Sequence, residues 1–194
     1  MATYSLVHGA WHGGWAWDLV RAELEGRGHT VYAPDLPCEE VGLAAEDYAA
    51  VVPPADVVVG HSLAGYVIPH VEASVRVYLC ALHGPTTEAS FVPGFGDARV
   101  RDEQGRSYYP NPHDGARELQ YPPEFAHLGA KLRRQSPLSM SALPTGDLYL
   151  VTSRDACVDP AWQRRAAMPQ LEIDAGHSPM LECPLTLAEL LLQV

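Results

Sequence analysis

No stretch of this 194-residue sequence approaches the roughly 18 consecutive apolar residues that a membrane-spanning helix requires. The first residues, Met-Ala-Thr-Tyr-Ser-Leu-Val-His-Gly, carry no basic side chain and enter an apolar run at once, so they do not read as a secretory leader. Cysteine is scarce. Cys38, Cys80, Cys157 and Cys183 are widely spaced and form no Cys-x-x-Cys pair, which argues against a disulfide framework and against a zinc site. Free, mostly structural thiols are expected, and Cys157 invites a labelling test because it lies close to Asp155. Clustered positive charge is missing as well. With a formal net charge of −11 and basic residues scattered apart from Arg133-Arg134 and Arg164-Arg165, neither nucleic acid nor an anionic membrane is an expected partner. A soluble, cytoplasmic protein is the expectation, and oligomeric state is not legible.

What the sequence does have is a 47% hydrophobic composition over a length that fits one core, so a single domain spanning residues 1–194 is expected. Tyr4 to Val7 reads as a strand and Trp17 to Glu25 as a helix, with Trp17, Val20 and Leu24 on one face. Thr30 to Leu36 reads as strand, Leu43 to Val52 as helix, Asp56 to Gly60 as strand, and Leu63 to Ala73 as a helix that Pro69 would kink. Val75 to Leu82 follows as strand. After about residue 146, Asp147 to Ser153 and Leu171 to Asp174 read as strands, Pro160 to Met168 and Leu185 to Leu192 as helices. Strands alternating with helices imply an α/β fold: a mainly parallel, doubly wound sheet with helices on both faces. The stretch 83–146 differs. It holds 8 of the 17 prolines and 7 of the 16 glycines with little periodic pattern, so it reads as an insertion over the site, a short lid. Within it, Glu124 to Arg134 places Phe125, Leu128 and Leu132 on one helical face.

Val57-Val58-Val59-Gly60-His61-Ser62-Leu63-Ala64-Gly65 is a β-branched run that breaks at small residues around one serine. That is strand, sharp turn, helix, with Ser62 at the apex. A serine hydroxyl is a weak nucleophile and needs a base beside it and backbone N–H groups aimed at the oxyanion formed by its attack. Asp155 and His177 also lie just past strand-like runs, and in an open parallel sheet such positions share one edge. His177, in Gly176-His177-Ser178-Pro179, would be the base, and Asp155 would orient it. Asp159 is better read as the N-cap of the helix that Pro160 opens, and Asp174 as a polar strand end. Ala10, in the glycine-rich loop after the first strand, and Leu63 are the expected oxyanion N–H donors. His8 and His12 are read as orienting that loop by hydrogen bonds rather than holding a metal, since no carboxylate or cysteine stands at ligand spacing. Trp11, His61, Tyr108, Tyr109 and Phe125 are candidates for the pocket wall, His61 with its ring directed away from Ser62. No metal or cofactor is expected.

Together, His8-Gly9-Ala10-Trp11-His12-Gly13-Gly14-Trp15, Gly60-His61-Ser62-Leu63-Ala64-Gly65, the strand ending at Asp155 and Gly176-His177-Ser178-Pro179-Met180 resemble the α/β-hydrolase superfamily. More narrowly they resemble the branch holding small carboxylesterases of the salicylate-ester and pyrethroid-ester type and the plant hydroxynitrile lyases. The resemblance implies an α/β-hydrolase fold and a Ser-His-Asp triad that cleaves a small carboxylic ester, thioester or lactone through an acyl-enzyme. The lyases carry lysine directly after the histidine and threonine after the first strand's histidine, where this chain has Ser178 and Gly9. The chain departs from the family in a reduced lid and an abbreviated link between Leu36 and Asp56. A same-fold lyase or biosynthetic cyclase, and a non-hydrolysing small-ligand receptor, stay open as alternatives.

Overall fold

Four segments carry apolar residues at nearly every position, as strands covered on both faces must. In the computed structural model, which describes residues 1–194, they are neighbours in one sheet. In chain order the strands are β1 (Thr3–Val7), β2 (Thr30–Tyr32), β3 (Ala55–His61), β4 (Ala73–Leu79), the small hairpin β5 (Val100–Arg101) and β6 (Ser107–Tyr108), then β7 (Leu148–Thr152) and β8 (Gln170–Ile173). Six of them form a parallel sheet in the order β2-β1-β3-β4-β7-β8. The helices are α1 (Asp18–Gly26), α2 (Ala45–Ala49), α3 (Pro112–Glu118), α4 (Pro160–Gln163), α5 (Pro179–Glu182) and α6 (Pro184–Leu191).

Successive side chains of a strand point to opposite faces, and here both faces are dry. Tyr4, Leu6, Val57, Val59, Val77, Leu79, Leu148 and Leu150 join the core under α1, α5 and α6. Val7, Val58, Tyr78, Tyr149 and Val151 join the core on the other face, with Tyr48 and Ala49 of α2 and Ile68. Each fully buried aliphatic side chain contributes about 1.5–3 kcal/mol, so the alternation fixes the register of the sheet and hence where its strand ends fall. No helix is long and apolar enough to cross a membrane.

Three expected elements come out shorter or differently wound. Instead of a helix over Leu63–Ala73, the chain makes two 3-10 turns, Ser62–Tyr66 and Ile68–His70, before β4 begins at Ala73. Pro69 has no N–H to extend a helix, and too few residues separate β3 from β4 for one. The strand expected over Thr30–Leu36 stops at Tyr32, because Pro34 breaks the ladder and the Leu36 N–H turns instead to His8 Nε2 at 2.9 Å. Glu124–Arg134 is a run of 3-10 turns, Pro123–Lys131, that still packs Phe125 and Leu128 onto the core.

Between β4 and β7, residues 83–146 cross the carboxyl edge of the sheet. The hairpin β5–β6, α3 and the Pro123–Lys131 turns lie there, tied down by the Phe91–Val158 and Ser107–Gln135 bridges.

Candidate active site

In the sheet order, β1 has β2 on one side and β3 on the other, so the chains leaving β1 and β3 part and open a crevice between them. Ser62 follows β3 at that point with φ of +53°, a left-handed conformation unusual for a side chain larger than glycine's. Sequence features make the turn possible. A β-carbon at Gly9 would lie 2.9 Å from Ser62 Cβ and 2.8 Å from His61 Nδ1. Ala64 is fully buried and fits. The closest approach is one residue later: a β-carbon at Gly65 would collide with the Leu82 carbonyl, whose own N–H bonds the Ser62 carbonyl at 2.9 Å. The glycine that the family pattern places two after the serine is therefore needed three after it here, as a 3-10 turn stacks residue i+3 over residue i.

Ser62 Oγ lies 3.1 Å from His177 Nε2, and His177 Nδ1 lies 2.9 Å from Asp155 Oδ2. With Nδ1–H donated to the carboxylate, Nε2 is left as the acceptor of the serine proton. Asp155 is saturated by donors: Thr152 Oγ1 and Gln163 Nε2 each reach Oδ2 at 2.9 Å, and the Cys157 and Val158 N–H groups reach Oδ1 at 2.7 and 3.0 Å. The competing acids are engaged elsewhere. Asp159 caps α4 through the Ala161 and Trp162 N–H groups, and Asp174 pairs with Arg154.

The backbone of His177 is gripped from both sides. Its carbonyl accepts His61 Nε2–H at 2.8 Å, while its N–H donates to Gln120 Oε1 at 2.9 Å. Gln120, itself at φ +55°, also accepts from Ala156 N–H at 2.7 Å and donates to the Arg154 carbonyl at 3.0 Å. It thus clips the acid loop to the histidine loop. Neither Gln120, Gln163 nor Thr152 was marked by any motif or period.

The glycine-rich loop is held by its histidines. His8 donates Nδ1–H to the Gly9 carbonyl at 2.8 Å, and His12 Nδ1 meets the Ala10 carbonyl at 2.8 Å. Burial depresses His8 to about 4 and His12 to about 3, and drives His61 well below its usual value, helped by the neighbouring rings of His177 and His12. All three are neutral at pH 7, so none of them opposes a charge on His177, whose ring centroid is 4.8 Å from that of His61.

Donor atoms of Asp155, Cys157 and His177, and of His61, Cys80 and His177, lie within 4.8 Å of one another. Those donors are already committed. The Cys157 thiol bonds the Glu118 carbonyl at 3.0 Å, and burial pushes both the Cys157 and Cys80 thiols well above the usual range.

Ser62, Leu63, Ala10 and Trp11 open onto a cavity of about 370 Å³, walled further by Tyr66, Leu82, Phe91 and Leu138. The Ala10 N–H has no acceptor within the protein. The other four expected wall residues are not part of it. His61 is buried behind the serine on His177. Tyr109 is buried behind Trp11, their centroids 5.5 Å apart; Tyr108 lies under the Arg134 guanidinium at 4.7 Å; Phe125 packs onto the core. In a segment without a repeating pattern, sequence spacing says nothing of which way a ring turns. Phe91, Phe95 and Leu138 take those places.

The sequence model of the alpha/beta hydrolase family matches residues 6–190. Methylesterase 3 of Arabidopsis thaliana is 29% identical over 168 residues, 75% of this chain and 62% of that protein, so the chain spans less than two thirds of this relative's length. Among solved structures, a pyrethroid hydrolase from Sphingobium faniae superposes with a TM-score of 0.76 at 24% identity, over 98% of this chain and 96% of the other. A methylesterase from Arabidopsis does so with a TM-score of 0.75 at 22% identity, over 100% and 98%. At those identities the likeness speaks for the fold, while the match over residues 6–190 speaks for descent. The chain belongs to the alpha/beta hydrolase family.

Proposed function

We propose that the protein hydrolyses a small carboxylic ester through an acyl-enzyme on Ser62. The observation that carries this reading is the continuous relay from Ser62 Oγ through His177 to Asp155, at 3.1 and 2.9 Å, with the serine facing the cavity from a left-handed turn. His177 Nε2 takes the hydroxyl proton as Oγ bonds to the acyl carbon. The carbonyl electron pair moves onto oxygen, where the Ala10 and Leu63 N–H groups receive it. Collapse expels the alcohol, which leaves with the proton from His177. Water then repeats the sequence on the acyl-serine and releases the acid. Asp155 keeps Nδ1 protonated and stabilises the imidazolium. Residues 83–146 cover the site as a reduced lid on a single domain.

Relatives named as methylesterases and a pyrethroid hydrolase support the ester. The lyase alternative loses support at two positions. Gly9 has no room for a threonine side chain, and Ser178, which replaces the lyase lysine, is buried with its hydroxyl on the Leu119 carbonyl at 2.7 Å. Turnover of p-nitrophenyl acetate or butyrate is expected to vanish in Ser62→Ala. Mass spectrometry is expected to place a fluorophosphonate adduct on Ser62 in the unaltered protein. Undiminished turnover in the variant would refute the assignment.

A further inference from the structure

Most arginines of this chain have a carboxylate partner, as Arg21, Arg27, Arg106, Arg117, Arg154 and Arg164 illustrate. Two that border the cavity beside Ser62 do not. Arg99 lies with its guanidinium carbon 4.7 Å from the centroid of the Trp11 ring and 4.7 Å from that of Phe95. Phe95 in turn has its ring centroid 6.4 Å from that of His177, so one phenyl group neighbours both the cation and that imidazole. None of the guanidinium N–H groups of Arg99 meets an acceptor in the protein, and its Nε is shut away from water. The nearby Glu118 carboxylate is engaged by the Gly96 and Ala98 N–H groups at 3.1 and 2.9 Å.

Arg101 follows on the same side of the chain, while Val100 between them faces solvent; it gives one N–H to the Gly105 carbonyl at 2.8 Å. Across the hairpin Arg101 registers with Ser107, and Ser107 bridges to Gln135. The next residue, Ser136, also lines the cavity, with a buried hydroxyl that has no partner. One wall of the cavity therefore offers the donors of Arg99, its Nε buried, and one unused hydroxyl on Ser136. Buried donors without acceptors are costly and rare unless something else supplies the acceptor.

We propose that the ester cleaved at Ser62 carries a carboxylate, and that Arg99, with Arg101 and Ser136 beside it, binds that carboxylate. The substrate class is then the half-ester of a dicarboxylic acid, or an ester with an equivalent acidic arm. This rests on the ester-hydrolase reading above and specifies its substrate. A planar guanidinium meets a carboxylate through paired N–H bonds, and the Trp11 and Phe95 rings, each 4.7 Å from the guanidinium carbon, hold Arg99 at the cavity wall.

The test compares methyl hydrogen glutarate and methyl hydrogen adipate with their dimethyl esters, which keep the acyl skeleton and remove the charge. The unaltered protein is expected to favour the half-ester in kcat/KM by about tenfold or more, the usual weight of a charge-assisted contact. In Arg99→Met and Arg99→Gln the ratio is expected to fall to one or below. Arg165→Gln, which removes an exposed charge outside the cavity lining, is expected to keep it. Calorimetry on the unaltered protein adds a reading independent of turnover and of variant folding: glutarate is expected to bind at least tenfold more tightly than its uncharged diamide, glutaramide. Equal or better use of the diesters, a ratio that survives in folded Arg99 variants, or equal binding of glutarate and glutaramide would overturn the proposal. Cleavage of the diesters that is lost in Ser62→Ala would leave the hydrolase reading standing even then.

Discussion

The strand-end loops and the stretch 83–146 face each other across one cavity and are built on opposite principles. On the sheet side, Ser62, Asp155 and His177 stand just beyond the ends of β3, β7 and β8, at His61, Thr152 and Ile173, and each is fixed by bonds to strand ends or to buried histidines. Across from them the wall is made of short turns and a two-residue hairpin, held by isolated bridges and by aromatic contacts. A reaction that needs ångström placement is served by the first kind of structure. Choice among substrates needs only shape and charge, which the second kind supplies with few constraints on its backbone.

Asp155→Asn strikes the sheet side hardest and is expected to cut kcat about a thousandfold or more, because Nδ1 of His177 loses its acceptor. KM should change little, measured by steady-state kinetics on the same ester, and a matching rise in KM would blur the division. Acid should also act on the sheet side first. His8 and His12 have folded values near 4 and 3 against an ordinary 6.5, with burial the leading cause. The unfolded chain therefore binds protons before the folded one, and stability, whole above about pH 6.5, falls as pH drops toward 4. A loss on the order of a few kcal/mol is expected by urea unfolding between about pH 7 and pH 5, and a flat profile would contradict the neutral histidine cluster.

Gln120 is the exception that sharpens the contrast, since it belongs to 83–146 yet holds both the acid loop and the histidine loop. Gln120→Ala is expected to lower kcat by about tenfold, as lost positioning costs rate even far from the chemistry. Gln120→Glu, which keeps the two accepting contacts, should recover part of it. An effect confined to KM would return Gln120 to the covering wall. The smallest effect is expected at Cys157: buried and bonded to Glu118, it should resist thiol labelling in the native protein and react only in denaturant.

Ser62, Asp155 and His177 could be found in the sequence because each stands next to an apolar run, and a parallel sheet carries such positions to one edge whatever lies between. The same logic placed Ala10 in the loop after β1. It failed for the residues that brace them. Gln163 and Gln120 are polar side chains whose value depends on partners 8 to 57 residues away, and no local pattern marks that. The cavity wall was illegible for a related reason: Tyr109 and Phe125 were credible by type, but turns without a period do not reveal which face looks inward. The helix expected after Ser62 gave way to 3-10 turns because Pro69 and the early start of β4 leave no room for it.

Gly65 has a further effect, on the width of the cavity. Because its missing side chain lets the Leu82 main chain come up against the turn, and Leu82 lines the cavity, this one position sets how far one wall stands from Ser62. Even a methyl group there would shift that wall, so the breadth of the cavity beside Ser62 is coupled to the same bend that sets the serine's conformation, and neither can be retuned alone.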